Sequence, residues 1–302
     1  MNPIATVRKH GLHGTMSLYL AEAKYRYARF RTRMVEPYRN PTIDELLLIE
    51  SKLIAMGEPV EPIDADPAGY RAFSEMFPFP SDYHGGMHSG HWQEKIFEHY
   101  LSYTLLGLDS YCSSDSYVDV AAADSPWARM LREYRALSAF AIDLTMRPPL
   151  AELSYYRVED ATRTTFDSRS VRGISLHCAY EMFVGDSDTR AIAEFARILA
   201  PGGSAVIVPL YLHTHYCCYG SPEYWGRGYA DIGAREYVNR EAREIPSSRK
   251  YDPEQLHERV LEPARRAGLE PHIFCLRNQS AVSPEIYCHF ILELRKPHDS
   301  CQ

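Results

Sequence analysis

The apolar positions change period about a third of the way along the chain, dividing it into a helical first part and an alternating strand–helix remainder. Between residues 16 and 34, Met16, Leu20, Ala23, Tyr27, Phe30 and Met34 recur at spacings of four and three, the repeat of one helix face. Arg26, Arg29 and Arg33 fall on another face. This predicts a helix that packs its stripe on its own domain and leaves its arginines in solvent. A basic helix of this kind also suits a membrane surface or an acidic partner. A second helix is expected at 42–56, where Thr42 and Glu45 make a capping box. Residues 57–90 are rich in Pro, Gly and Asp and read as a linker or irregular lid. Trp92, Ile96, His99, Tyr103 and Leu106 return to helical spacing.

From Tyr117 the pattern alternates. Strands are expected at Tyr117–Val120, Ala139–Leu144, Tyr155–Val158, Gly173–His177 and Ser204–Leu210. Helices at 126–136, capped by Ser125 and opened by Pro126, and at 188–199 separate some of them. This alternation argues for a parallel, doubly wound sheet. Residues 211–250 interrupt it with Tyr, Gly, His and Arg. A helix at 253–267 follows, opened by Asp252 and Gln255 and closed by Gly268. The last strands, His272–Leu276 and Ile286–Leu294, leave no room for a crossover helix and must be antiparallel neighbours.

Composition narrows the class. With 302 residues, 45% hydrophobic and 24% charged, the chain can bury a large core. A formal net charge of -7 argues against broad nucleic-acid binding. No apolar run is long enough to span a membrane, and the N-terminus does not read as a secretory signal. The seven cysteines are odd in number and include no C-x-x-C pair, so free thiols and a cytoplasmic location are expected.

The stretch GISLHCAYEMFVGDSDTRAIAEFARILAPGGSAVIVPLYL carries a family likeness. A strand ending at His177 is followed by a helix with Glu194 and Arg197, then Leu199, Pro201, Gly202, Gly203 and a further strand. In this arrangement the chain resembles the class I S-adenosylmethionine-dependent methyltransferases, over about residues 90–210 and 252–295. The resemblance implies an α/β fold: a doubly wound, mostly parallel, seven-stranded sheet with a C-terminal antiparallel hairpin. Residues 1–88 would be a helical extension or cap. Residues 89–302 would be the Rossmann-like domain, with a substrate lid inserted at about 211–250.

The chain departs from the family at the first motif. Asp119 leads not into a glycine loop but into Val120-Ala121-Ala122-Ala123-Asp124-Ser125. Ala121, Ala123 and Ser125 stand where glycines are expected, and alanine keeps a close backbone approach provided its φ stays negative. By resemblance, Asp119, Ala121, Ala123 and Ser125 bind the methyl donor. Asp143, with Leu144 beside it, lies about 20 residues on, where a Rossmann fold places a carboxylate for ribose hydroxyls. Asp160 and Ala161 would meet the adenine.

His177 and Glu181 leave the fourth strand of the motif, where donor and acceptor meet in the family. Either is a candidate proton acceptor, and His177 is alternatively a wall of the donor pocket. His215, Tyr216, Tyr219 and Trp225 in the 211–250 segment are candidate acceptor contacts. Two histidine clusters, His84/His88/His91 and His213/His215 with Cys217 and Cys218, lack the spacing of an ordinary zinc site, so no metal is expected.

The expected activity is methyl transfer from S-adenosylmethionine to an oxygen or nitrogen of a small metabolite, a natural product or sugar-like acceptor. The expected partner is that small molecule, with neither nucleic acid nor membrane, and a homodimer is compatible with this. The alternative is a catalytically silent methyltransferase-like protein used for binding or assembly. A dehydrogenase would hold more strictly to the glycine fingerprint.

Overall fold

A computed structural model describes the backbone of residues 3–299 and side chains from residue 16 onward. In chain order the first elements are α1 (Pro3–Arg31), α2 (Ile43–Ala55), β1 (Val60–Ile63), α3 (Pro67–Met76) and α4 (Trp92–Leu105). There follow β2 (Ser116–Val120), α5 (Trp127–Arg135), β3 (Ser138–Asp143), β4 (Tyr156–Val158), β5 (Val171–His177), α6 (Ser187–Ile198) and β6 (Leu199–Val208). The inserted segment holds β7 (Cys217–Gly220), β8 (Arg235–Val238) and β9 (Ser248–Lys250). The chain closes with α7 (Pro253–Leu256), α8 (Glu262–Arg266), β10 (Glu270–Leu276), the helical turn α9 (Gln279–Val282) and β11 (Phe290–Arg295).

The main sheet has the order β1-β10-β11-β6-β5-β2-β3-β4. β2, β3, β4, β5 and β6 run parallel, while β11 lies antiparallel between β6 and β10. The fold is the Rossmann-like α/β fold that the resemblance implied, with its parallel sheet and closing antiparallel hairpin. Two details differ from the sequence reading. The sheet has eight strands rather than seven, because Val60–Ile63 adds an edge strand parallel to β10. The turn between β10 and β11 also holds the short helix α9.

The 57–90 segment is therefore not an irregular linker throughout. β1 and α3 lie within it, and α3 starts on Pro67 after the Asp66 cap. Proline and aspartate mark the beginnings of these elements rather than a lack of them. α2 forms as expected, with both arms of the Thr42/Glu45 capping box in place, and it sinks Ile49 and Leu53 into the core. Part of the segment assigned to an N-terminal extension is thus built into the main sheet.

α1 corrects a second expectation. Its stripe does not face its own domain: Met16, Leu20, Tyr27, Phe30 and Met34 are all more than half exposed. The buried contact comes from Tyr25, whose hydroxyl donates to the carbonyl of Arg240 at 2.7 Å, and from Thr32. The arginines are not all free either, since Arg29 pairs with Glu241 at 2.5 Å.

Glu194 and Arg197 of the recognised stretch are braces. Glu194 accepts from the backbone N–H and hydroxyl of Thr164, both at 2.7 Å, and Arg197 reaches the Phe166 carbonyl at 2.9 Å. Together they pin the β4–β5 connection onto α6. At Gly203 a Cβ would lie 2.7 Å from the Arg172 carbonyl oxygen, so glycine is needed for β6 to approach β5 there.

Candidate functional site

The strand order reverses between β2 and β5, whose connections run to opposite sides of the sheet. In an open α/β sheet the crevice beyond the carboxyl ends of the strands at such a point is where ligands bind. Two cavities meet there, of about 730 Å³ and about 400 Å³, and both are walled by Ala121, Ala123 and Cys178.

The loop between them begins as β2 ends on the buried Asp119. Ala121 and Ala123 take φ values of +55° and +46°. The condition set on the sequence, a negative φ, is therefore not met: both alanines adopt the left-handed geometry that glycine adopts without penalty. Each costs about 1–2 kcal/mol relative to an unstrained residue. The loop is held in this shape by hydrogen bonds. The Ala122 N–H donates to the Ile142 carbonyl at 3.1 Å, and the Ala123 N–H donates to Asp143 Oδ2 at 2.9 Å. Ser125 Oγ accepts from the Trp127 N–H at 3.2 Å, but the cap position of α5 falls on Pro126, one residue later than the sequence reading placed it.

The smaller cavity collects the sequence-picked residues Ala121, Ala123, Asp143, Leu144, Asp160 and Ala161. Met182, Phe183 and Val184 supply an apolar wall. Asp143 Oδ1 accepts from the Thr145 N–H at 3.0 Å and Asp160 Oδ1 from the Thr162 N–H at 2.8 Å. A carboxylate has about four acceptor positions, so both acids keep lone pairs for a ligand.

The larger cavity collects Asp119, Ser125 and His177, with Glu98, His99 and Tyr83 from the helical first part. His177 is held on both sides: Nδ1 lies 3.1 Å from Asp119 Oδ1 and Nε2 lies 2.8 Å from Ser102 Oγ. Its ring leaves no nitrogen free. His99 sits 4.0 Å away, centroid to centroid. Its Nε2 is 2.9 Å from the Tyr83 hydroxyl, while its Nδ1 is buried without a partner. Burial, with His177 beside it, holds His99 well below the ordinary imidazole pKa, so it is neutral. Glu98 Oε2 and Asp119 Oδ2 are also buried and unpaired. Burial pushes Glu98 up to about 8, although Lys95 lies 2.6 Å away and pulls the other way.

Glu181 is set apart. It lines neither cavity, accepts from the Cys178 thiol at 3.3 Å, and has Oε2 buried without a partner. The residues picked as acceptor contacts are likewise outside both cavities. His215 Nε2 is 2.8 Å from the Tyr237 hydroxyl, and the Tyr216 hydroxyl donates to Asp231 at 2.8 Å. Tyr219 packs on Tyr38, with centroids 4.4 Å apart. Trp225 lies in a turn just beyond β7. The insertion itself leaves the carboxyl end of β6. It approaches the cleft through Tyr211, whose hydroxyl is 3.4 Å from Cys178 Sγ, and through the buried Lys250, whose ammonium stands 3.6 Å from the Tyr211 ring centroid.

Sequence reasoning missed His99, Tyr83, Glu98 and Cys178. A signal was present for His99, a titratable residue within an otherwise apolar helical stripe. For Tyr83 and Glu98 nothing in the periodicity marks the cavity side.

No protein-family model and no curated protein sequence matches the chain. Among solved structures it is similar to the 1,6-didemethyltoxoflavin-N1-methyltransferase of Burkholderia thailandensis, bound to 1,6-didemethyltoxoflavin and S-adenosylhomocysteine. The identity is 17%, over 79% of this chain and 94% of that one, with a TM-score of 0.46. It is also similar to a geranyl diphosphate methyltransferase in complex with GPP and sinefungin, at 14% identity over 91% and 98% of the two chains and a TM-score of 0.39. An S-adenosylmethionine-dependent methyltransferase of Mesorhizobium loti shares 15% identity over 66% and 98%, with a TM-score of 0.43. Likeness at this level is one of fold alone.

Proposed function

We propose that the chain transfers a methyl group from S-adenosylmethionine to an oxygen or nitrogen of a small metabolite. The observation that carries this reading is that three residues lining one cavity at the switch point of the sheet each hold a buried polar atom without a partner. These are Glu98 Oε2, His99 Nδ1 and Asp119 Oδ2. Unpaired buried polar atoms cost about 1–3 kcal/mol each unless a ligand satisfies them.

The residues present fit the donor. Asp143 and Asp160 offer acceptors for ribose hydroxyls and an adenine amino group, against the apolar wall of Met182 and Phe183. Asp119 Oδ2 suits an ammonium group. Arg129, whose Nε is buried without a hydrogen-bond partner, suits a carboxylate across the larger cavity. S-adenosylmethionine supplies a methyl group already activated on a positively charged sulfur. The protein is left to align the acceptor, exclude water and take up one proton.

His99 is the better-placed proton acceptor, and His177 is a positioning residue. With the proton on Nε2 and donated to the Tyr83 oxygen, His99 keeps an unpaired Nδ1 lone pair in the wall of the cavity. His177, tied to Asp119 and Ser102, orients Asp119 and walls the donor site. The cavity volumes suit a small metabolite. Calorimetric titration with S-adenosylhomocysteine, NAD and NADP tests the reading. Binding of S-adenosylhomocysteine alone is expected. Failure to bind it would favour the catalytically silent alternative, and preferential binding of either dinucleotide would favour a dehydrogenase.

A further inference from the structure

We propose that His213, His215 and Cys217 form a binding site for a zinc-class metal ion at the entry of the inserted segment. This replaces the expectation, drawn from spacing alone, that the chain holds no metal. It is independent of the methyl-donor reading.

The three residues alternate along the chain that leads from Leu212 into β7. One ligand atom from each lies within 4.8 Å of the others. A tetrahedral zinc ion, with bonds of about 2.1 Å to nitrogen and 2.3 Å to sulfur, spaces such atoms by roughly 3.4–3.7 Å. Closure therefore asks for shifts of about 1 Å in the ligand atoms.

The backbone is fixed on both sides of the cluster. The His213 N–H donates to the Tyr251 carbonyl at 2.7 Å, and Cys217 is paired with Arg235 on one side and Lys250 on the other. The chemistry of the set is that of a transition-metal site: two imidazoles and one thiol, with N and S donors only. Cys217 is a free, fully buried thiol, and His213 is 3% exposed.

The surroundings are those expected around metal ligands. The Tyr237 hydroxyl, 2.8 Å from His215 Nε2, fixes that ring. Thr214 Oγ1 lies 3.3 Å from His213 Nδ1 and 3.2 Å from His215 Nδ1, and an ion held through those nitrogens would displace its hydroxyl. Tyr38, from the segment after α1, lies 6.2 Å from His213, centroid to centroid, and encloses the cluster with Tyr219. Three protein ligands leave a fourth position for water on the half-buried His215 side.

The test uses full-length protein made without a histidine tag. Elemental analysis should find one zinc per chain. In the zinc-free protein, Co²⁺ should bind with 1:1 stoichiometry and develop a thiolate-to-metal charge-transfer band. Cys217→Ser should abolish the band, and His215→Asn should weaken Co²⁺ binding at least tenfold. Cys218→Ser, at the neighbouring thiol, should change neither. His215 is half-buried, so its variant remains informative if Cys217→Ser fails to fold. Absence of zinc together with no saturable Co²⁺ binding would overturn the site. So would a charge-transfer band that survives in folded Cys217→Ser, or Co²⁺ affinity unchanged in His215→Asn.

Discussion

Replacing alanine by glycine at adjacent positions of the Ala121–Ser125 loop should move stability in opposite directions. Ala123 is exposed and has φ +46°, whereas Ala122 is buried and has no positive φ. At Ala123, glycine removes a left-handed penalty of about 1–2 kcal/mol. It also loosens the unfolded chain, at a cost of about 0.4–1 kcal/mol. Ala123→Gly should therefore leave stability unchanged or raise it by about 1 kcal/mol. At Ala122, which packs into the core beneath the loop, the methyl group is worth about 0.8 kcal/mol of burial. The same unfolded-state cost applies, so Ala122→Gly should lose about 1–2 kcal/mol. Urea unfolding, compared at equal m-values, reads both. Equal losses in the two variants would refute the claim that alanine holds a glycine geometry here. A gain at Ala123 would mean that the loop keeps a ligand-binding shape against its own local preference.

Asp143→Ala should weaken S-adenosylhomocysteine binding by about 1–3 kcal/mol, read by calorimetry, through loss of ligand hydrogen bonds and of the anchor for the Ala123 N–H. His99→Gln should lower turnover by about 10²–10⁴-fold with donor affinity nearly unchanged; turnover equal to wild type would remove His99 as the proton acceptor. Burial pushes Glu94 up to about 7 from the ordinary 4.5. Between those values the folded state binds more protons than the unfolded one, so stability falls as pH rises from about 4.5 to about 7, by on the order of 3 kcal/mol. Glu94→Gln, which retains an acceptor for the N–H groups of Tyr287 and Cys288, should flatten that slope in urea unfolding measured across the range.

The sequence alone indicated most elements of the doubly wound part and their parallel pairing. Alternation of strands and helices from Tyr117 onward points to a parallel sheet; the closing antiparallel pair was expected from a short span from Leu276 to Ile286, but the last strand starts only at Phe290 and its connection holds α9, so the pairing itself was decided by the tertiary structure. The resemblance located the loop after Asp119 and the acids Asp143 and Asp160, because residues that follow parallel strands all reach the same edge. Three further things were decided only by tertiary structure. Val60–Ile63 becomes a strand because β10 offers it an unpaired edge, and four residues carry too little pattern to announce this. The apolar stripe of α1 faces solvent because Tyr25, on another side of the helix, finds carbonyl partners at Arg240 and Ala242. The hydrogen bonding of His177 and His99 is set by contacts between residues far apart in sequence: Asp119 and Ser102 occupy both nitrogens of one ring, while Tyr83 occupies only one of the other. Which nitrogen stays free depends on how α4 packs against the ends of β2 and β5, and no spacing along the chain encodes that.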